Sequence, residues 1–211
     1  MVIIMCGGVY EKFEEHKALS KINGERLVER TIRLLKENNV DDIYISATNK
    51  VFDNFGVTRL EHNNTYKQVN GKEQGYWVDG YYPTDKPCIY LHGDVYYSED
   101  SIKRILNLKP KVNTFIGNQY ALNKEHKKVG EPFGWIIVDQ VSFRKAIEET
   151  KRLCDEGKCD RHPISWELYQ VLNGHNVNDF IISETSYLAI SDETIDIDAP
   201  WQIEVLENKL K

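Results

Sequence analysis

The opening residues constrain the fold most. Val2-Ile3-Ile4-Met5-Cys6 is an unbroken apolar run that stops at Gly7-Gly8. It shows no polar alternation, so both faces must be buried, as in an interior strand of a parallel sheet. Parallel strands need crossovers, and the next segment supplies one. From Glu25 to Asn38, Val28, Ile32 and Leu35 recur at i, i+4 and i+7, one apolar face of a helix with Glu and Arg opposite. Further strands are predicted at Asp42–Ala47, Val57–Leu60 and Pro87–His92, and near Asn113–Ile116 and Gly134–Val138. Between them come a helix from an N-cap at Ser98 to Leu108, then helices near Val141–Cys154 and Ile164–Leu172. Phe180–Ile190 mixes strand signals around a polar middle, and Pro200 opens a last helix. This alternation predicts an α/β fold: a single domain with a mostly parallel, doubly wound sheet.

With 211 residues, 41% of them hydrophobic, the chain can fill the core of one such domain. Residues 1–211 are therefore read as one unit. The formal charge of -6 argues against a general nucleic-acid binder, which would carry a basic stripe. No segment reaches the ~18 apolar residues of a membrane span, and Val2–Cys6 is too short for a signal-peptide core. A cytoplasmic protein is expected. Cys6 and Cys88 lie in apolar runs as small hydrophobes. Cys154, Cys159 and His162 lack a fourth zinc ligand, so free thiols are the expectation.

In open α/β sheets, ligands sit beyond the carboxyl ends of strands. Three polar clusters fall at such places. Gly7-Gly8 lets the backbone approach a phosphate closely, with Lys12 and Lys17 adding charge to the loop. Asp94 follows the strand ending at His92 and offers a carboxylate to a hard cation. Asp196 and Asp198 lie in Ile195-Asp196-Ile197-Asp198-Ala199-Pro200, at the entry to the last helix. Taken singly, each has a plain structural reading: a strand-end turn, a turn aspartate and a helix start.

In this order the three clusters resemble the sugar-nucleotide and related nucleotidyltransferases, whose fold is shared with GT-A glycosyltransferases. The first motif stands here as Met5-Cys6-Gly7-Gly8, Lys12 and Lys17-Ala18-Leu19, close to the compact form of molybdopterin-cofactor guanylyltransferase-like members. Gly93-Asp94-Val95-Tyr96 resembles the metal-aspartate stretch, and Asp196 to Pro200 the terminal motif of acylneuraminate-type cytidylyltransferases. His16 before Lys17, and Tyr66–Tyr82 with Asn70 and Gln74, are similar to phosphocholine cytidylyltransferases. The chain departs from the pattern at Lys12, where arginine is usual, and at Tyr10, where a small residue is common.

The resemblance implies a Mg²⁺-dependent transfer of NMP, with CTP as the expected NTP, to a small phosphorylated acceptor. It implies catalytic roles for Lys17 and Lys12, metal ligation by Asp94 and Asp198, and nucleotide contacts from Met5, Cys6, Gly7, Gly8, Asn70 and Gln74. Trp135, Arg161, Trp166, Glu167 and Asp196 are the expected acceptor-side residues. A GT-A glycosyltransferase is the nearest rival, but its Asp-x-Asp usually stands in mid-chain, and here the pair is Asp196 and Asp198. A fold that kept nucleotide binding and lost turnover is the other rival.

Overall fold

The computed structural model describes residues 1–7, 13, 15–69, 72–119, 131–161 and 163–211, with the backbone alone at 68, 69 and 72–74. Lys12, Gly8, Asn70 and His162, and the side chain of Gln74, lie outside the described residues. The central strands are β1 (Val2–Met5), β2 (Ile43–Ser46), β3 (Thr58–Leu60), β4 (Cys88–His92), β5 (Thr114–Asn118), β6 (Pro132–Ile137) and β7 (Tyr187–Ile190). They form one sheet in the order β7-β5-β6-β4-β1-β2-β3. β1 pairs in parallel with β2 on one side and β4 on the other, Ile4 facing Ile45 and Leu91. β6 runs antiparallel to both β4 and β5.

The described residues form five α-helices: α1 (Leu27–Glu37), α2 (Glu99–Asn107), α3 (Gln140–Asp155) and α4 (Ser165–Leu172) against the sheet, and α5 (Pro200–Lys209), which packs on Ile22, Leu27 and Tyr96. Val2, Ile4 and Cys6 pack on one side with Val28, Ile32 and Leu35 of α1 and Ile102 of α2. Ile3 and Met5 pack on the other with Phe143 of α3 and Trp166 and Tyr169 of α4. The apolar run at the start of the chain is thus explained by a strand with a core on each face. Each fully buried aliphatic side chain there contributes about 1.5–3 kcal/mol. Ser98 caps α2 by accepting the Ser101 amide at 2.9 Å, as the sequence suggests.

Strand order reverses between β1 and β4, which puts a crevice beyond their carboxyl ends. Glycines let neighbouring strands close up, Gly93 at this crevice and Gly134 where β6 meets β4. A Cβ on Gly93 would stand 2.5 Å from Cys6 Sγ and 2.7 Å from the Met5 carbonyl oxygen. The Gly93 amide instead donates to that carbonyl at 2.8 Å. At Gly134, with φ at +155°, a Cβ would meet the Tyr90 carbonyl oxygen at 2.1 Å.

Cys154 and Cys159 form a disulfide, which corrects the expectation of free thiols and excludes them as a zinc pair. Gly157, at φ +72°, turns the chain back after α3 and brings Cα159 to 4.7 Å from Cα154. The bond also removes one ground for assuming a reducing compartment. Cys6 and Cys88 are buried and free. Among the described residues, no helix is long and apolar enough to cross a membrane.

Candidate active site

Three chain segments meet at the crevice. After β4, Gly93-Asp94 turns the chain into Val95–Tyr96, which pairs antiparallel with Ile195–Asp196. The Ile197 amide extends the pairing by donating to the Asp94 carbonyl at 3.0 Å. Side chains alternate along an extended segment. Ile197 is therefore buried with Ile22, Leu27, Tyr96 and Leu206, while the carboxylates of Asp196 and Asp198 turn to Lys17. Lys17 itself opens a single 3-10 turn, Lys17–Leu19, anchored by buried Ala18 and Leu19.

The Lys17 ammonium lies 2.8 Å from Asp94 Oδ2, 2.8 Å from Asp198 Oδ1 and 3.9 Å from Asp196 Oδ1. Its side chain is only 10% exposed, whereas Asp198 is 64% exposed and forms the solvent side of the cluster. Burial works against the charged lysine, but Asp94, Asp196 and Asp198 outweigh it and hold its pKa well above the ordinary value. Burial likewise pushes Asp196 well up, helped by the charge of Asp94 and opposed by Lys17. The helix-start reading of Asp198 does not describe its carboxylate. The amides of Asp198 and Ala199 are both accepted by Gln202 Oε1, each at 2.7 Å, and the Asp198 carboxylate goes to Lys17.

Three carboxylates around one ammonium are anionic in sum, and oxygen donors of this kind suit a hard divalent cation. Asp196 Oδ1 is buried without a hydrogen-bond partner among the described residues. The donor set fits a metal such as Mg²⁺, although among the described residues no three Asp, Glu, His or Cys side chains already converge as a metal cage.

Residues 2–150 match the family model of the MobA-like NTP transferase domain. The chain belongs to that family. It is accordingly a nucleotidyltransferase, an enzyme that takes a nucleoside triphosphate. Among solved structures the fold is similar to CTP:phosphocholine cytidylyltransferase from Streptococcus pneumoniae, with TM-score 0.56 and 16% identity over 100% of this chain and 98% of that one. It is also similar to HddC from Yersinia pseudotuberculosis complexed with GMP-PN, with TM-score 0.52 and 16% identity over 100% and 99%. A third similar structure is 4-diphosphocytidyl-2C-methyl-D-erythritol synthase from Anaerococcus prevotii, with TM-score 0.54 and 11% identity over 99% and 96%. Among curated proteins, none matches the chain by sequence.

The other expected site residues divide. The Met5 carbonyl and Cys6 amide are engaged within the sheet, by Gly93 and Ser46 respectively. Trp135, expected on the acceptor side, lies in the core. It is 0% exposed, packs edge-on to Phe115 and Phe143, and donates its indole N–H to Tyr81 at 3.0 Å. Trp166, 2% exposed between Phe115 and Phe180, is likewise a core ring. Glu167 accepts the Ile164 amide at the start of α4 and pairs with Arg161 at 2.5 Å. No contact among the described residues joins that pair to the Lys17 cluster.

Two features escape a reading of the sequence alone. His62 is buried beneath Gly7, and its Nδ1 lies 2.8 Å from Ser46 Oγ. The one hydroxyl proton of Ser46 goes to the Gly80 carbonyl at 2.8 Å. His62 Nδ1 must therefore donate, leaving Nε2 as a lone pair without a partner among the described residues. The second feature is a cleft of about 410 Å³ between Asn118, Glu131, the 190–195 segment and the Trp201 and Val205 face of α5. Glu131 joins it to the carboxylate cluster by accepting the Asp196 amide at 3.4 Å, and burial pushes the Glu131 carboxyl above its ordinary pKa.

Proposed function

We propose that this nucleotidyltransferase moves CMP from CTP to a small phosphorylated acceptor, a phospho-sugar or phospho-alcohol, with release of pyrophosphate. The observation that carries the reading is the Lys17 ammonium held 2.8 Å from both Asp94 and Asp198 at the sheet's switch point. A phosphate oxygen of the acceptor attacks the α-phosphorus; that P–O bond forms as the bond to the β-phosphate bridging oxygen breaks. Pyrophosphate leaves in line with both electrons of the broken bond. The acceptor phosphate is already ionised near neutral pH, so no side chain need act as general base.

Lys17 stabilises the charge growing on the α-phosphate, and a preorganised charge of this kind is worth about 3–4 kcal/mol in the barrier. Gly7 and Gly8 amides with Lys12 hold the β- and γ-phosphates. Asp94 and Asp198 would hold Mg²⁺, which when bound offsets the repulsion between two anionic reactants. Asn70 and Gln74 read the base, and likeness to cytidylyltransferases favours cytosine. The cleft beside Glu131, with the exposed ring of Trp201, suits the acceptor better than the core rings Trp135 and Trp166. A triphosphate substrate supports the reading of a cytoplasmic enzyme.

The test is a pyrophosphate-release screen of the four NTPs against phospho-sugars, phospho-alcohols and phospho-amino compounds with Mg²⁺. Release with CTP and one acceptor class supports the reading. Release with another NTP removes only the cytidylyl assignment, whereas a free nucleoside diphosphate as product supports a glycosyltransferase.

A further inference from the structure

We infer that Lys17 gates the metal site: its ammonium occupies the centre of the carboxylate cluster until a triphosphate draws it away, so that a divalent cation binds tightly only with the nucleotide. The inference rests on the proposed reading for its two ligands, a divalent cation and a nucleoside triphosphate. It follows from which oxygens the ammonium uses. Asp94 Oδ2 and Asp198 Oδ1 both point at Nζ from 2.8 Å, and Asp196 Oδ1 stands at 3.9 Å. A divalent ion would draw on these same carboxylates, with oxygens at roughly 2.0–2.6 Å. An ion so placed would lie within a few ångströms of the ammonium. Lys17, Asp94 and Asp196 are each no more than 15% exposed, so water and salt screen that repulsion weakly.

Ion and ammonium therefore compete for the two carboxylates. The lysine can be released without unfolding the turn that carries it. Its four-carbon stem is flexible, while Ala18 and Leu19 stay buried in the core beneath the site. A triphosphate supplies both a competing anion for the ammonium and further oxygens for the ion. Binding linkage is reciprocal, so each ligand strengthens the other by the same factor.

The test is Mn²⁺ binding to the full chain without nucleotide, followed by the electron-spin resonance signal of free Mn²⁺. Lys17→Met should bind Mn²⁺ about tenfold or more tightly than wild type. The double variant Lys17→Met, Asp198→Asn should lose that gain. Equal or weaker binding by Lys17→Met overturns the gate. A measurement on wild type covers the case in which the variant fails to fold: ¹H–¹⁵N spectra of lysine ammonium groups. The ion-paired Lys17 signal should persist with Mg²⁺ alone and shift when a non-hydrolysable triphosphate is added; displacement by Mg²⁺ alone overturns the gate. Pyrophosphate release by wild type reports separately on the parent reading. Release accompanied by unchanged Mn²⁺ affinity in Lys17→Met sinks the gate alone.

Discussion

Lys17 Nζ donates to Asp198 Oδ1 at 2.8 Å across a sequence separation of 181 residues. The start and the end of the chain thus close one site, with Asp94 as its third wall. If the carboxylates hold the metal, Asp94→Asn and Asp198→Asn should each fold and lose roughly a hundredfold or more in turnover. Asp198, the more exposed of the two, should change the urea midpoint less than Asp94. Full Mg²⁺-dependent activity in either variant would remove that residue from the site.

Gly93→Ala tests the closure of β4 on β1. The added methyl would need room already taken by Cys6 Sγ and the Met5 carbonyl. Overpacking at such a point costs about 1–3 kcal/mol, and the shift would carry Asp94 away from Lys17. Urea unfolding should show the destabilisation and kcat should fall with it. A variant with wild-type midpoint and rate would mean that the close approach does not position Asp94.

Much of the fold is legible in the sequence because burial leaves a periodic trace. The helix face of Val28, Ile32 and Leu35 and the two-faced strand Val2–Met5 are read directly from spacing. The direction of β6 is not, since an apolar run looks the same in either orientation. The paired segments Val95–Tyr96 and Ile195–Asp196 are two residues each, too short to show a period, yet they bring Asp94 to Asp198. The burial of Trp135 and Trp166 is not legible for another reason: a large aromatic ring serves a core and a pocket equally well. His62 gave no signal, as its role depends on Ser46 and Gly80, which are remote from it in sequence.

His62 should make stability depend on pH. Burial holds its folded-state pKa below the ordinary histidine value, against the opposing pull of the Asn64 side chain and the charge of Asp79. Above about pH 6.5 both the folded and unfolded forms are neutral and the residue contributes no pH dependence. Below it the unfolded chain takes up a proton that the folded chain resists, so stability falls as pH falls. Urea midpoints measured at about pH 7.5 and about pH 5.5 should drop less in His62→Asn than in wild type. Equal drops would show that His62 titrates normally when folded.

Base preference can be read without turnover. A pocket built to pair one base leaves its own donors and acceptors unpaired with another, a discrimination that can reach about 10⁴-fold. With Mg²⁺ and equal concentrations, CTP should raise the melting temperature more than UTP, ATP or GTP, through binding to the folded state. Asn70→Ala should narrow that difference. A larger shift with GTP or ATP would contradict the cytidylyl assignment.

The central claim is that NMP is transferred with loss of pyrophosphate at the Lys17 cluster. Phosphorus NMR of a reaction containing the NTP, the phosphorylated acceptor and Mg²⁺ tests it most directly. The account predicts pyrophosphate and a new diphosphate diester in equal amounts, with neither formed by Asp198→Asn. A nucleoside diphosphate or inorganic phosphate in their place, or an unchanged spectrum with every NTP and acceptor, would contradict it.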